Sequence, residues 1–292
     1  MCNLEFEDQT DFINLFKKNV ITDALLQKGF ALISPNDFSK IVNISLFELN
    51  KLKYYWHNLP LDPYLKDGGD YRFRRHASYT IQNKEITASP YRAHWQSLEH
   101  NQLNGGIQRW YDLPELSLTK STSWQRILVE VTQLINLLNP APAKWFVEAH
   151  QFRIDTRSGI GRPTPEGIHR DGDDYVVIIL VDRVSIKGGE SHIFNADGSI
   201  CLAKTLSNSW TLLIIDDTRM LHETTPITSS SLIGYRDSLV ITYRRSGFQN
   251  PNYYQSSLEK LSLLDNCHYM LQLVFRIFYL ADDNDKHKSV RR

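Results

Sequence analysis

The sequence predicts an α+β, mainly β fold: a small antiparallel β-barrel with helices added at its N- and C-terminal ends. Three observations predict it. Two apolar runs, Tyr175 to Val181 and Trp210 to Ile215, lie between Glu166 and Tyr243 and read as buried strands. Three further segments, Tyr71 to Thr80, Trp145 to Ile154 and Arg236 to Tyr243, have the alternating character of strands. Helical periodicity occurs outside or between these runs, never within them.

The chain has 292 residues, enough to bury a full core. The expectation is one domain over 1–292, with a core at about 70–245 and helical additions at 1–60 and 255–280. Lys plus Arg and Asp plus Glu number 33 each, which excludes a general electrostatic pull toward nucleic acid or an anionic membrane. The three cysteines, Cys2, Cys201 and Cys267, are odd in number and widely spaced. That argues against a disulfide framework or zinc cluster and for a reducing compartment. With no signal-peptide pattern and no apolar run long enough to span a bilayer, the expected location is the cytoplasm.

Taken in order, residues 8–28 read as a helix that Gly29 can stop, and Phe30 to Ile33 as a short strand. Ser34-Pro35-Asn36-Asp37 starts a second helix, whose apolar stripe runs from Phe38 to Tyr55 before Pro60. Asp67-Gly-Gly-Asp70 is a turn into the strand Tyr71 to Thr80. There Arg72, Arg74 and His76 share one face, and Tyr71, Phe73 and Arg75 the other. The first face would line an anion pocket or lie in solvent. Residues 84–118 are irregular and rich in turns, and Tyr91, Trp95, Trp110 and Tyr111 make them an ordered covering layer. A helix follows over Ser117 to Leu138, stopped by Asn139-Pro140-Ala-Pro142. On the strand Trp145 to Ile154, Gln151 and Arg153 share one face, His150 and Phe152 the other. A helix over 255–280 and a charged tail end the chain.

The chemistry lies in the segment from Glu166 to Tyr243. His169 and Asp171 stand two apart, so in extended backbone both side chains point the same way. A neutral imidazole beside a carboxylate suits a borderline divalent metal. An H-x-D pair by itself is weak evidence, but this one precedes a buried strand and so sits at the mouth of a sheet. His222 follows a second apolar strand, and an antiparallel barrel can return it to that mouth. Two histidines and one carboxylate make the facial triad of non-haem Fe(II) oxygenases; a surface histidine at a strand end is the alternative for His222. Arg236 begins a strand on which Ser238, Val240 and Thr242 share its face. A guanidinium buried there needs an anion, and a bidentate carboxylate is its natural match, with Ser238 adding a bond. Arg244 competes with Arg236 for this role.

The combination of H-x-D, distal His and R-x-S resembles the Fe(II)/2-oxoglutarate-dependent dioxygenases. Arg72 to Ala77, Asn104 to Arg109, His150 to Ile154, Pro165 to Gly172, Gly188 to Ser191 and Thr225 to Ile227 resemble the bacterial free-amino-acid hydroxylases of the isoleucine dioxygenase type. The match covers roughly residues 70–245. The resemblance implies a double-stranded β-helix (jelly roll, cupin-like) core with flanking helices. It implies His169, Asp171 and His222 as iron ligands and Arg236, with Ser238, as the 2-oxoglutarate anchor. It implies hydroxylation of an unactivated C–H of a free L-amino acid or close derivative, with O2 as co-substrate and release of succinate and CO2. The kept carboxylate, Asp171, favours hydroxylation over halogenation.

A free amino acid needs a cation for its carboxylate, with Arg74, Arg75 and Arg153 as candidates, and an acid for its ammonium, with Glu166, Asp173 and Asp174 as candidates. His150 and Gln151 are candidate pocket walls. A protein or peptide hydroxylase and a catalytically silent cupin-like binding module are the competing readings.

Overall fold

The computed structural model describes residues 9–138, 143–229 and 233–251. Helix α1 (Gln9–Lys28) leads into strand β1 (Phe30–Ile33), followed by α2 (Pro35–Val42) and α3 (Leu46–Lys51). Strands β2 (Arg72–Gln82) and β3 (Glu85–Ala88) precede α4 (Leu116–Thr119), α5 (Thr122–Asn136) and β4 (Trp145–Asp155). Then come β5 (Tyr175–Val184), β6 (Ile186–Gly188), β7 (Glu190–Phe194), β8 (Ile200–Thr205), β9 (Leu212–Asp216), β10 (Leu221–Thr224), β11 (Ile227–Ser229) and β12 (Tyr235–Arg244). The helix expected over 255–280, the charged tail and the stop at 139–142 lie outside the described residues. By internal contacts the chain divides into Met1–Phe248, which holds all these elements, and Gln249–Arg292.

The long helix expected after Ser34 is broken into two helices and a 3-10 turn over Leu52–Trp56. Asn43 takes the left-handed conformation at φ 50°, which asparagine tolerates, and Ser45 then caps a fresh start by accepting from the Glu48 N–H at 3.2 Å. The short strands β6, β7, β8, β10 and β11 were not expected; at three to six residues, they are too brief to carry a readable period.

The main sheet runs β1-β9-β5-β12-β4-β2-β3, every pairing antiparallel. A smaller sheet, β10-β7-β8, and the pair β11-β6 supply the remaining strands. This is a double-stranded β-helix with flanking helices. Strand alternation divides the main sheet into two faces. Ala77, Tyr79, Val147, Ala149, Val177, Ile179, Leu239, Ile241 and Tyr243 pack with Phe38, Leu49, Trp124, Leu128, Val131 and Ile135 of the helical layer in one buried cluster. Three buried tryptophans tie helices to strands or strand-adjacent chain through their N–H groups: Trp124 to the Tyr79 hydroxyl at 3.1 Å, Trp145 to Asn136 at 2.7 Å and Trp210 to Asn50 at 2.8 Å. The opposite face carries the site. Among the described residues no helix is long and apolar enough to cross a membrane.

Candidate metal and anion site

The register of the main sheet brings one set of side chains to the second face. Arg72, Arg74 and His76 of β2 pair with Ile154, Phe152 and His150 of β4, and those three pair in turn with Arg236, Ser238 and Val240 of β12. Val176 and Ile178 of β5 extend the same face, and all but His76 line a single pocket. Segment 94–109 and the loop 163–171 complete its wall with His94, Gln96, Asn101, Arg109, Thr164 and Glu166.

His169, Asp171 and His222 converge at the pocket. Backbone hydrogen bonds in both directions join His169 to His222 at 3.1 and 2.9 Å and set the two rings 4.4 Å apart. His169 Nδ1 lies 2.9 Å from the Gly167 carbonyl, so that nitrogen carries the proton and Nε2 faces inward as a donor to a metal. His169 Nε2 stands 3.7 Å from one Asp171 oxygen and His222 Nε2 stands 3.6 Å from the other. These separations are too long for hydrogen bonds and suit atoms sharing one cation at about 2 Å each. Gly172, at φ 82°, turns the chain just past Asp171, and a Cβ there would run into the His100 ring. Asp217 pins this turn by accepting the N–H groups of Asp171, Gly172 and Asp173 at 3.1, 2.8 and 3.0 Å.

The electrostatics favour a cation here. Burial opposes a charged His169, but the adjoining Asp171 carboxylate and the charge of Glu166 outweigh it and hold the ring up to about 10. Burial and the neighbouring His169 push His222 down to about 4. Burial opposes the Asp171 carboxylate too, yet the two histidines hold it well below the usual range. Gln96 adds an N–H donated to Asp171 at 2.8 Å. Two imidazoles and a carboxylate, with no fourth ligand in the cluster among the described residues, fit Fe(II) with open positions.

Arg236 is 3% exposed, and its Nε and one terminal nitrogen have no acceptor. Its other terminal nitrogen donates to Ser238 Oγ at 3.3 Å. Burial, with Arg183 nearby, lowers it to about 10, which leaves it charged at neutral pH. Such a guanidinium suits the far carboxylate of a 2-oxo diacid.

A second cluster, His76, His94, Glu148 and His150, also has metal-ligand composition. It is closed by its own hydrogen bonds. His76 and His94 reach the two Glu148 oxygens at 3.0 and 3.2 Å, Arg92 donates to Glu148 at 2.7 Å, and Arg74 lies 2.7 Å from His150 Nδ1.

Of the candidates named from sequence, Arg74, His150, Glu166, His169, Asp171, His222, Arg236 and Ser238 line this pocket. Gln151 and Arg153 do not. Strand alternation turns them to the helix-covered face, where Gln151 donates to the Tyr55 carbonyl at 3.1 Å and Arg153 clasps Asp237 at 2.7 and 2.6 Å. Arg75 likewise donates to the Leu113 carbonyl, and Asp174 pairs with Arg245. Asp173 and Arg244 do not line the pocket. Sequence reasoning missed His94, Gln96, Asn101 and Arg109 as pocket residues. Their loop has no period to read, although its aromatic content marked it as ordered.

The family model described as 2OG-Fe dioxygenase matches residues 53–242. No curated protein matches the chain. Among solved structures, the chain is similar to a BsmA homologue from Methylobium petroleophilum, at 36% identity over 80% of this chain and 95% of that one, with a TM-score of 0.75. It shares its fold with IDO from Bacillus thuringiensis, at 19% identity over 80% of this chain and 100% of that one, with a TM-score of 0.66. It also shares it with the Fe(II)/α-ketoglutarate-dependent dioxygenase TqaL, at 14% identity over 82% and 90% of the two chains, with a TM-score of 0.63. With the family model spanning the core strands and the site between them, the chain belongs to the 2OG-Fe dioxygenase family and is an Fe(II)- and 2-oxoglutarate-dependent oxygenase.

Proposed function

We propose that this oxygenase hydroxylates an unactivated C–H of a free L-amino acid or close derivative, as a single catalytic domain in the cytoplasm. One observation carries the reading: the His169, Asp171 and His222 donor atoms share a pocket with a buried, partner-poor Arg236 and with further buried arginines. His169, Asp171 and His222 hold Fe(II). Arg236 and Ser238 hold the distal carboxylate of 2-oxoglutarate. Bound together, the metal and 2-oxoglutarate supply the oxidising power, with succinate and CO2 as by-products.

The protein's own residues do the rest. The Gly167 carbonyl fixes the tautomer of His169, and the Gln96 amide orients the Asp171 carboxylate. Ile154, which pairs with Arg236 across the sheet, and Val176, Ile178 and Val240 on the same face give the pocket its apolar wall. The polar wall opposite orients the substrate.

The test is turnover of the full chain with Fe(II), 2-oxoglutarate and a panel of free amino acids, read as succinate release and as the mass gain of one oxygen atom. A coupled signal with at least one amino acid is expected. Succinate at background across the panel would remove the amino-acid reading and leave the peptide substrate as the alternative. In the His222→Ala variant, stoichiometric Fe(II) uptake should be lost while the far-ultraviolet dichroism is kept. Full iron content in that variant would strike His222 from the ligand set.

A further inference from the structure

We propose that Arg74 and Arg109 form a carboxylate-binding site, opposed by Glu166 as an ammonium acceptor, and that its ligand is a zwitterionic α-amino acid. The identity of this ligand as the substrate rests on the amino-acid hydroxylase reading; the binding site itself does not.

The argument is one of unmatched charge. Arg72 has Asp62, to which it donates at 2.8 Å. Arg92 has Glu148, whose two oxygens are also taken by His76 and His94. Arg74 and Arg109 remain, 3% and 2% exposed. Arg74 lies 3.8 Å from the same Asp62 oxygen that Arg72 already holds. Its hydrogen-bond partners are neutral, the Tyr111 hydroxyl at 3.1 Å and His150 Nδ1 at 2.7 Å, and the faces of Tyr111 and Phe152 lie 3.9 and 4.3 Å away. Arg109 donates to the Gln96 amide oxygen at 2.8 Å, and the Nε of each arginine is buried without an acceptor. Burying a guanidinium without an anion is costly, so both are poised for one. Burial holds His150 and His94 neutral, so they add no further positive charge beside the two arginines.

The same pocket holds the complementary group. Glu166 Oε2 is buried with no donor, while its Oε1 accepts only a long bond from Asn101 at 3.4 Å and lies 3.7 Å from His169. Two cations and one anion facing a common space match a ligand that has a carboxylate at one end and an ammonium at the other. A phosphate or sulfate would meet the arginines equally well but would set its charge against Glu166. A peptide segment offers neither terminal group. Arg236 stands on a different strand from Arg74 and pairs across β4 with Ile154 rather than Phe152, so 2-oxoglutarate and this ligand have separate cations.

The test is anaerobic calorimetry on the full chain loaded with Fe(II) and 2-oxoglutarate, titrated with the proteinogenic L-amino acids. Each binder is then compared with its C-terminal amide and its N-acetyl derivative. At least one amino acid should bind, and both derivatives should bind at least about tenfold more weakly, the worth of a charged hydrogen bond. Arg109→Gln should cost about 10- to 100-fold in amino-acid affinity, with Arg109→Lys recovering part. Glu166→Gln should erase the difference between the amino acid and its N-acetyl form. Retained 2-oxoglutarate affinity, within about twofold, identifies a folded variant; Arg74→Gln serves as the second probe. Equal binding of acid and amide, absence of any amino-acid binder, or a loss in Arg109→Gln confined to 2-oxoglutarate would overturn the site. An amino acid that binds as described but is never hydroxylated leaves the site standing and removes the hydroxylase reading. Turnover of an amino acid undiminished by Arg109→Gln does the reverse.

Discussion

Arg236 and Arg244 lie eight positions apart on β12, so alternation puts both on the same face and parity cannot choose between them. Distance along the strand can. At about 3.3 Å per residue they are roughly 26 Å apart; Arg236 pairs with Ile154 inside the pocket and Arg244 with Phe146 at the other end. Arg236→Ala should therefore raise the 2-oxoglutarate requirement by about 10- to 100-fold, the worth of one to two charged hydrogen bonds. Arg244→Ala should leave it within about twofold. A titration of 2-oxoglutarate against succinate release checks both, and the reverse ordering would move the anchor to Arg244. The H-x-D pair, the distal histidine and the R-x-S strand were legible because strand alternation and residue chemistry are local. Gln96 and Arg109 were not, because an irregular loop has no period and its placement depends on what it covers.

At the scale of elements, the helical layer decides how firmly the site-bearing sheet is held. Helix α5 begins where Ser121 accepts the Trp124 N–H at 3.2 Å, and it buries Trp124, Leu128, Val131 and Ile135 against the sheet. Ser121→Ala should cost about 0.5–2 kcal/mol through the lost cap. Leu128→Ala should cost about 2–5 kcal/mol, because Leu128 is fully buried in the main core and its loss leaves a cavity there. Urea unfolding of the two variants measures this; equal midpoints would mean that α5 frays at no cost to the core. Most of the helix expected over 117–138 is observed as α5, because a fifteen-residue stripe is long enough to show its period; its first turn is instead the separate α4, and Ser121 starts the helix afresh. The helix after Ser34 was read as continuous because its apolar stripe carries on past Asn43. Only the left-handed backbone at that residue breaks it.

At the scale of the whole molecule, the buried imidazoles set an acid limit. Burial is the largest cause that lowers His76, His94 and His150, and it takes His94 down to about 3. An unfolded histidine protonates near 6.5 while these stay neutral, so stability falls as pH drops below about 6.5, by up to roughly 1.4 kcal/mol per pH unit for each ring. Glu148 acts in the same direction, since burial is outweighed by His94 and His76 and its carboxyl is held well below the ordinary value. Asp217 and Asp237, pushed up to about 7 and about 6 mainly by burial, oppose this, because they favour the folded state as pH falls. The sharpest measurement is thus a difference: His94→Asn should be less stable at pH 7 yet lose stability less steeply between pH 6.5 and 5. Thermal melts across that window read it. Parallel slopes would show that His94 does not titrate between the two states.

The sequence by itself determined the mainly β fold class, the two histidines and one carboxylate of the candidate metal site, and the presence of an arginine on the strand that follows them. Those follow from side-chain type and from a period of two, which a single chain displays without knowing its neighbours. The tertiary structure alone decided which cations share the pocket. Pairing of β2, β4 and β12 sent Arg74 inward and Arg75 and Arg153 away. Packing of the segment 94–109 over that face then brought Arg109 into the pocket that Arg74 and Glu166 also line. The physical reason is that charge matching is a property of the whole pocket. An arginine binds a ligand only where no carboxylate of the chain reaches it first, and that depends on every strand packed around it.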